Sequence, residues 1–166
     1  MNSNIFNKKP QSQVYLFDWG DTLMVDFPDY SGKMYQWPKI QVLANAEIML
    51  ATLAKTATIF VATGAADSTE QEIKLAFERA NLNQYISGYF CKENLGVDKK
   101  SLAFFPRIIE KLNVPASQIV MVGDYYQNDI QPAIIAGITA IWLTSKDNIS
   151  TANEFKTITD LSELIS

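Results

Sequence analysis

Residues 14–22 read VYLFDWGDT, and this stretch decides how the rest of the chain is interpreted. Its first four residues form a short apolar run, which is typical of a buried central strand. The run ends abruptly at Asp18, and Asp21 follows Gly20, so two carboxylates come directly after the strand. In open α/β sheets the carboxyl ends of the strands are where ligands bind. Because Asp and Gly are also ordinary turn residues, a purely structural turn is the alternative for Asp18 and Asp21.

Further along the chain, apolar runs alternate with segments that have helical features. Strands are predicted at residues 58–62, 85–90, 118–122 and 139–143, and helices at about 44–55, from the 66–69 cap to about 81, 101–112, 129–136 and 160–165. Strands that alternate with helices form a parallel sheet with right-handed crossovers. The expected fold class is therefore α/β, with a parallel sheet of about five strands flanked by helices.

The length of the chain, 166 residues, fits a single domain, which we expect at residues 14–166. Residues 1–13 are polar and lack the apolar centre of a signal peptide, so we interpret them as a flexible tail. No apolar run approaches the ~20 residues that cross a bilayer, which argues against a membrane partner. The cytoplasm is the default location.

The composition restricts the chemistry that is available. The chain has one cysteine and no histidine, which excludes a disulfide framework and any metal site built from those two residue types. Catalysis would have to use carboxylates, lysine, hydroxyl groups and the backbone. A net charge of −4 without large basic clusters does not favour a nucleic-acid partner.

Polar residues follow several of the predicted strands and should converge on one edge of the sheet. They are Asp18 and Asp21 after the first strand, Thr63 and Gly64 after the second, and Asp124 and Asp129 after the fourth, with Lys99 just before a helix. Clustered carboxylate oxygens favour Mg²⁺, while a hydroxyl, a backbone N–H and an ammonium group can hold a phosphoryl group. Each residue also has a simpler explanation: a plain turn at 63–64, a solvated lysine, and an acidic residue that favours a helix N-terminus.

Four segments also resemble the haloacid dehalogenase superfamily of aspartate-nucleophile hydrolases. They are FDWGDTL (17–23), ATG (62–64), GVDKKSLAFF (96–105) and VMVGDYYQNDIQPAIIAGITAIWL (120–143). The resemblance covers about residues 14–143, and its last segment is the most specific. It implies a three-layer Rossmann-like fold. It also implies that Asp18 is a nucleophile that forms an aspartyl-phosphate, that Thr63 binds the phosphoryl group, and that Lys99 neutralises both.

The same resemblance implies a Mg²⁺ cofactor. Asp18, Asp124 and the backbone carbonyl of Gly20 would be its ligands, and Asp129 would support the metal or Lys99. One departure concerns Gly20, because family phosphatases usually have a second Asp there as the general acid and base. Losing a positioned acid typically costs about 10²- to 10⁴-fold in rate. We hypothesise that Asp21, or a carboxylate further along such as Asp26 or Asp29, replaces it, or that turnover is slow except for esters with acidic leaving groups.

Residues 23–41, which we call the flap, have neither helical nor strand periodicity and contain several aromatic residues. They follow the acidic turn directly, so they could cover the site, or they could be a surface loop pinned by its aromatic side chains. Only 40 residues separate Thr22 from Thr63, which is too short for a large cap domain. An open site indicates a bulky substrate, a homo-oligomer whose partner closes it, or cover by the flap around Trp37. Trp19 could stack on a substrate or pack against the flap.

The sequence leaves four functions open. The first is a Mg²⁺-dependent phosphatase for a phosphorylated small molecule or an exposed phosphoester on a larger one. The second is a metal-independent dehalogenase that uses the same Asp18, and the third is a receiver-like signalling domain. The fourth is a catalytically weak relative that serves as a binding module, which the glycine at position 20 makes plausible. The residues expected to set specificity are those of the flap together with Trp19, Tyr125 and Tyr126.

Overall fold

A six-stranded parallel sheet forms the centre of the molecule in the computed structural model, which describes residues 13–145 and 154–166. The tail predicted at residues 1–13 lies outside the described residues except for its last position. The strands are β1 (Val14–Phe17), β2 (Thr58–Ala62), β3 (Gly88–Phe90), β4 (Ile119–Gly123), β5 (Thr139–Leu143) and β6 (Lys156–Ile158). Their order across the sheet is β3-β2-β1-β4-β5-β6, and every pairing is parallel.

The apolar run at residues 14–17 becomes β1, the central strand. Val14 lies opposite Thr58 of β2 on one side and Ile119 of β4 on the other. The chain steps from β1 outward to β3 and then returns to place β4 beside β1. The strand order therefore reverses between β1 and β4, and in open α/β sheets such a switch point opens the crevice in which ligands bind.

Helices cover both faces of the sheet. They are α1 (Ala46–Leu53), α2 (Glu70–Arg79), α3 (Lys92–Leu95), α4 (Phe104–Leu112) and α5 (Gln131–Ile135). Consecutive residues of β1 point into opposite apolar clusters: Phe17 packs with residues of α1 and α2, and Leu16 with residues of α3, α4 and α5. The predicted α/β fold with three layers is confirmed.

The N-terminus of α2 is fixed by a capping box. Thr69 Oγ1 accepts a hydrogen bond from the N–H of Glu72 at 3.2 Å, and Glu72 Oε2 accepts one from the N–H of Thr69 at 3.1 Å. These bonds satisfy backbone donors that have no partner within the helix. The sequence predicts that the polar stretch at 66–69 caps this helix, and the cap forms at Thr69. It ends the turn that begins with Thr63, directly after β2.

The structure differs from the sequence prediction in its short elements. The sheet has a sixth strand, β6, where about five strands were expected. Residues 83–85 form a 3₁₀ turn, so β3 is shorter than predicted. The predicted helix at 129–136 is preceded by a π-helical turn at Tyr126–Ile130, and the predicted helix at 160–165 is one 3₁₀ turn, Leu161–Leu164. Another 3₁₀ turn, Ala116–Gln118, precedes β4.

The flap is irregular apart from one 3₁₀ turn at Met34–Gln36. Single bridges join Met24 to Gly20 and to Val42, so its two ends are held next to the turn after β1. Within the described residues there is no large cap domain, as expected. None of the helices that the structure describes is both long and apolar enough to pass through a lipid bilayer.

Candidate functional site

Asp18 lies at the switch point, in the first position after β1. Its backbone N–H donates to the carbonyl of Val122 at 3.0 Å, which extends the β1–β4 pairing by one residue and directs the carboxylate to the edge of the sheet. Its Oδ1 accepts a hydrogen bond from Lys99 at 2.8 Å, and its Oδ2 lies 3.4 Å from the hydroxyl of Thr22. One oxygen is therefore held by Lys99, and the carboxylate also shares a hydrogen bond with Asp124.

Lys99 is the central cation of the site. Its side chain is only 3% exposed, and its ammonium group contacts Asp18 Oδ1 at 2.8 Å, Asp129 Oδ1 at 2.5 Å and the carbonyl oxygen of Ala62 at 2.8 Å. Burial opposes the charged form of Lys99, but the two carboxylates outweigh it and hold its pKa above the ordinary value. Lys99 is thus a fully paired charge rather than a solvated lysine.

Three carboxylates from two neighbouring strands meet beside this lysine. Oxygen atoms of Asp18, Asp124 and Asp129 lie within 4.8 Å of one another. Asp124 Oδ1 also lies within 3.1 Å of the hydroxyl of Thr22, which therefore bridges the residues that follow β1 and β4. Burial, together with the hydrogen bond and charge of Asp18 and the charge of Asp129, raises the pKa of Asp124 to about 7.

The cluster has three carboxylates and one ammonium group, which pairs with Asp18 and Asp129. Its potential ligands are all oxygen atoms and its negative charges outnumber the one positive charge, so its residues fit a hard divalent cation such as Mg²⁺. Asp18 and Asp124 offer carboxylate oxygens that Lys99 does not occupy. Gly20 lines the same cavity, as expected for a residue predicted to contribute its carbonyl.

Asp129 is buried and has N–H donors at both carboxylate oxygens. Oδ1 accepts from Lys99, and Oδ2 accepts from the backbone N–H of Tyr125 at 3.0 Å. A side chain at Gly123 would overlap the Asp129 carboxylate, so the glycine at the end of β4 is what allows the close approach. These contacts make Asp129 a positioning residue for Lys99, and its role as a metal ligand stays a prediction.

Thr63 and Gly64 follow β2 and face the same crevice. The backbone N–H of Thr63 donates to the carbonyl of Phe90 at 3.0 Å, which fixes the residue at the end of the sheet. Its hydroxyl oxygen accepts from the N–H of Ala65 at 3.1 Å, so the hydroxyl proton is free to point into the cavity. An added Cβ at Gly64 would lie 3.4 Å from the Cβ of Lys99, which shows how closely the lysine side chain passes beneath this turn.

The three carboxylates, Lys99, Thr63 and Gly64 line one cavity of about 410 Å³ between the sheet edge and the flap. The sheet edge contributes Asp18, Thr63, Gly64, Lys99, Asp124 and Asp129, and the flap contributes Asp26, Gly32, Lys33, Met34 and Trp37. These residues of the predicted site therefore lie around one cavity. Tyr125 lines the cavity and is 54% exposed. Tyr126 instead packs on Trp142.

Two of the predicted site residues have structural roles. Trp19 is only 5% exposed, packs on Phe77 and donates its indole N–H to the sulfur of Met24 at 3.3 Å, so its ring is not available for stacking on a substrate. Asp21 is exposed, has a φ of 56° and accepts the backbone N–H of Asp26 at 2.9 Å. The turn explanation therefore holds for Asp21, whose carboxylate stabilises the start of the flap.

Asp26, one of the three carboxylates hypothesised to replace the acid absent at Gly20, lies beside that residue. An added Cβ at Gly20 would lie 3.2 Å from the Cβ of Asp26 and 3.4 Å from its Oδ2. Partial burial and the charges of Asp21 and Asp18 raise the pKa of Asp26. Asp29 is exposed and does not line the cavity.

Sequence reasoning missed three residues that shape the site. Thr22 bridges Asp18 and Asp124, although a hydroxyl in the turn next to a carboxylate was a visible signal. Trp142 donates its indole N–H to the backbone carbonyl of Asp124 at 2.9 Å, and nothing in the sequence links these residues. Lys33 of the flap pairs with Glu72 at 2.7 Å and lines the cavity.

Comparisons with known proteins give the family and the fold of the chain. The family model for haloacid dehalogenase-like hydrolases matches residues 3–143. A curated relative, the pyrimidine 5'-nucleotidase YjjG of Escherichia coli (strain K12), is 33% identical over 79 residues. That match covers 47% of this chain and 34% of the relative, so the chain is matched to about a third of that enzyme's length.

Solved structures share the fold at low sequence identity. An uncharacterised protein from Listeria monocytogenes serotype 4b has a TM-score of 0.77 at 22% identity, covering 91% of this chain and 93% of its own. The magnesium-bound putative HAD-hydrolase YfnB of Bacillus subtilis has a TM-score of 0.71 at 14% identity, covering 92% and 96%. A 2-haloacid dehalogenase from Pseudomonas syringae pv. tomato DC3000 has a TM-score of 0.71 at 21% identity, covering 93% and 96%. The fold, the matched segments and the family model agree, and the chain belongs to the haloacid dehalogenase-like hydrolases.

Proposed function

We propose that this protein is a Mg²⁺-dependent phosphatase that hydrolyses a phosphomonoester through an aspartyl-phosphate on Asp18. The observation that carries the proposal is the meeting of three acidic side chains within 4.8 Å beside one buried lysine. Lys99 neutralises the carboxylate of Asp18, from which the attack on phosphorus would come. The substrate would be a phosphorylated small molecule, or a phosphoester exposed on a larger one, because the cavity is not closed by a cap domain.

The metal would be held by Asp18, Asp124 and the backbone carbonyl of Gly20. When bound, a divalent cation supplies positive charge to the phosphoryl oxygens and to the carboxylate cluster. The similarity of the fold to the magnesium-bound Bacillus protein supports this choice of cofactor. The three carboxylates beside the single ammonium group of Lys99 support it as well, because a divalent cation would offset their excess of negative charge.

The chain's own residues supply the rest of the chemistry. A carboxylate oxygen of Asp18 bonds to phosphorus as the bond to the leaving group breaks, and water then attacks phosphorus and releases inorganic phosphate and free Asp18. Thr63 and Gly64 would donate hydrogen bonds to the phosphoryl oxygens. Lys99 stabilises the negative charge that Asp18 and the phosphoryl group share, and its buried contacts keep it from moving away.

A phosphate-release assay tests the proposal. The wild-type protein is assayed with p-nitrophenyl phosphate and with a panel of phosphomonoesters that includes nucleotides, with Mg²⁺ and with EDTA. We expect turnover that requires Mg²⁺ and falls to background in Asp18→Asn, which keeps the shape of the side chain but removes the nucleophile. Turnover that is equal in Asp18→Asn would contradict the assignment of Asp18.

Dehalogenation is the other reaction that Asp18 could carry out. The fold is similar to that of the Pseudomonas dehalogenase, which supports this alternative. A metal-independent reaction, however, gives the Asp124 carboxylate no evident role. Release of halide from a 2-haloacid that persists in EDTA would favour dehalogenation over the proposed function. Binding of phosphate analogues without turnover of any ester would favour a binding module instead.

A further inference from the structure

We propose that Asp26 of the flap gives a proton to the leaving group of the substrate. It would then replace the acid that the chain lacks at Gly20. This inference rests on the phosphatase function proposed above. It assigns a catalytic role to a residue that lies six positions beyond the place where the acid is usual for this family.

The carboxyl group of Asp26 lies beside Gly20. A Cβ built on Gly20 would lie 3.2 Å from Asp26 Cβ, 3.4 Å from Asp26 Oδ2 and 3.5 Å from Asp26 Cγ. The carboxyl group of Asp26 therefore occupies the region into which a side chain at position 20 would project. Both residues line the cavity that contains Asp18 and Lys99.

Backbone hydrogen bonds hold Asp26 in this place. Its N–H donates to Asp21 Oδ1 at 2.9 Å, and the N–H of Val25 donates to the carbonyl of Gln41 at 2.8 Å. Met24, one residue earlier, is bridged to both Gly20 and Val42. The carboxyl group thus extends from an anchored turn, which is the condition for a positioned proton donor.

The other two candidate carboxylates, Asp21 and Asp29, are less suitable as the proton donor. Asp21 uses a carboxylate oxygen to hold the N–H of Asp26, so it supports the turn on which Asp26 stands. Asp29 is exposed and does not line the cavity. All three carboxylates are exposed and both Asp21 and Asp26 line the cavity, but the carboxyl group of Asp26 lies against the space beside Gly20, while that of Asp21 holds the turn.

The proposed reaction has two halves, and in each half the bond that forms at phosphorus is matched by one that breaks. An oxygen of Asp18 bonds to phosphorus, the bond between phosphorus and the ester oxygen breaks, and that oxygen takes the proton of the Asp26 carboxyl group. In the second half, a water oxygen bonds to phosphorus and gives one proton to the Asp26 carboxylate. The bond from Asp18 to phosphorus breaks, which regenerates both side chains and releases inorganic phosphate.

The dependence on the leaving group tests this role, because a proton is needed for a poor leaving group and much less for an acidic one. We compare Asp26→Asn with wild type on β-glycerophosphate and on p-nitrophenyl phosphate, with Mg²⁺ present. We expect kcat/KM to fall by about 10²-fold or more on the alkyl ester. On the aryl ester it should fall by no more than a few-fold. Asp29→Asn, a flap carboxylate outside the cavity, is the matched control and should match wild type on both esters.

A rescue variant separates catalysis from a loss of structure. Gly20→Asp combined with Asp26→Gly returns a carboxylate to the space that Asp26 vacates, and Gly20 does not have a positive φ that would resist a side chain. We expect the double variant to recover most of the alkyl phosphatase activity that Asp26→Asn loses. Failure of this rescue, or equal losses on the two esters in Asp26→Asn, would overturn the inference about Asp26.

The two proposals fail in different ways. A wild-type protein that hydrolyses neither ester contradicts the phosphatase function and removes the basis for Asp26 with it. A wild-type protein that hydrolyses both esters, together with an Asp26→Asn variant that is as active as wild type on both, contradicts the role of Asp26 alone.

Discussion

At the scale of single residues, Lys99 has the largest predicted effect on stability. Its ammonium group pairs with Asp18 and Asp129 and is almost completely buried. Lys99→Met leaves these carboxylates without their cation, and breaking a buried ion pair in this way costs about 3–5 kcal/mol. We expect a loss of that size in the free energy of unfolding, measured by urea denaturation, together with loss of phosphatase activity.

The neighbouring residue gives a matched control for stability. Lys100 is exposed, so Lys100→Met should change the free energy of unfolding by less than about 0.5 kcal/mol. If Lys99→Met were as stable as Lys100→Met, the ion-pair network would not be the feature that holds the strand ends together.

Gly123 supports the same network through its lack of a side chain. A Cβ at this position would overlap the carboxylate of Asp129, so Gly123→Ala must displace that carboxylate from Lys99. Overpacking of a buried site typically costs about 1–3 kcal/mol. We expect a loss of stability in this range and a fall in kcat. Kinetics and urea denaturation that match wild type would show that Asp129 can move without consequence.

The sequence predicts the site residues that directly follow strands. It does not predict which side chains contact residues elsewhere in the chain. Asp18, Thr63 and Asp124 follow apolar runs, and the parallel topology brings such positions to one edge. Asp26 was only one of three candidates, because its approach to Gly20 depends on the path of an irregular loop. The burial of Trp19 depends on contact with Phe77 of α2, which local pattern does not reveal.

At the scale of elements, two side chains of α2 hold the flap: Arg79, and Glu72 through its ion pair with Lys33. Arg79 Nη1 lies within hydrogen-bond distance of the carbonyl oxygens of Tyr35 at 2.9 Å, Trp37 at 2.8 Å and Met34 at 3.4 Å. Arg79→Met removes these bonds from the 3₁₀ turn of the flap. Because the core packing of α2 is unchanged, we expect faster amide hydrogen exchange in the flap while the protection of the sheet is retained.

Lys74 provides the control on the same helix. It is exposed, and Lys74→Met should leave exchange in the flap at the wild-type rate. Equal protection of the flap in Arg79→Met and wild type would mean that the aromatic packing and the Lys33–Glu72 ion pair hold the flap without Arg79.

The long elements were predictable because their apolar spacing is regular, whereas the short ones were not. Strand β5 was predicted with the observed bounds, since its five residues form one apolar run. Strand β6 has only three residues and pairs with β5 through tertiary context, so no local pattern announces it. The π-helical turn at Tyr126–Ile130 likewise follows from the burial of Asp129, which propensity does not contain.

At the scale of the whole molecule, the acidic cluster should make stability depend on pH. Burial raises the pKa of Asp124 from an ordinary value of 3.8 to about 7, and the pKa values of Asp26 and Asp129 are also raised. Between these values the native state binds more protons than the unfolded state. The free energy of unfolding of the metal-free protein should therefore fall as the pH rises from about 4 to about 7.

Urea denaturation in EDTA at several pH values within this window measures the effect. Asp124→Asn cannot titrate at this position, so its stability should vary less with pH than that of wild type. A metal-free wild-type protein whose stability rises steadily across the same window would contradict the pKa assigned to Asp124.

Binding of Mg²⁺ should offset the repulsion within the cluster. A ligand at 100 times its dissociation constant stabilises the native state by about 2.7 kcal/mol. We expect saturating Mg²⁺ to raise the melting temperature near neutral pH in wild type and to have little effect on Asp124→Asn. An equal rise in both proteins would place the ion elsewhere on the molecule.

The central claim is that Asp18 attacks phosphorus, and trapping its covalent product tests that claim most directly. Wild-type protein is mixed with Mg²⁺ and a substrate found in the assay, quenched in acid during turnover, digested, and analysed by mass spectrometry. The account predicts that the peptide containing Asp18 gains the mass of one phosphoryl group in wild type and not in Asp18→Asn. A phosphoryl group found on a different residue during active turnover would contradict the account.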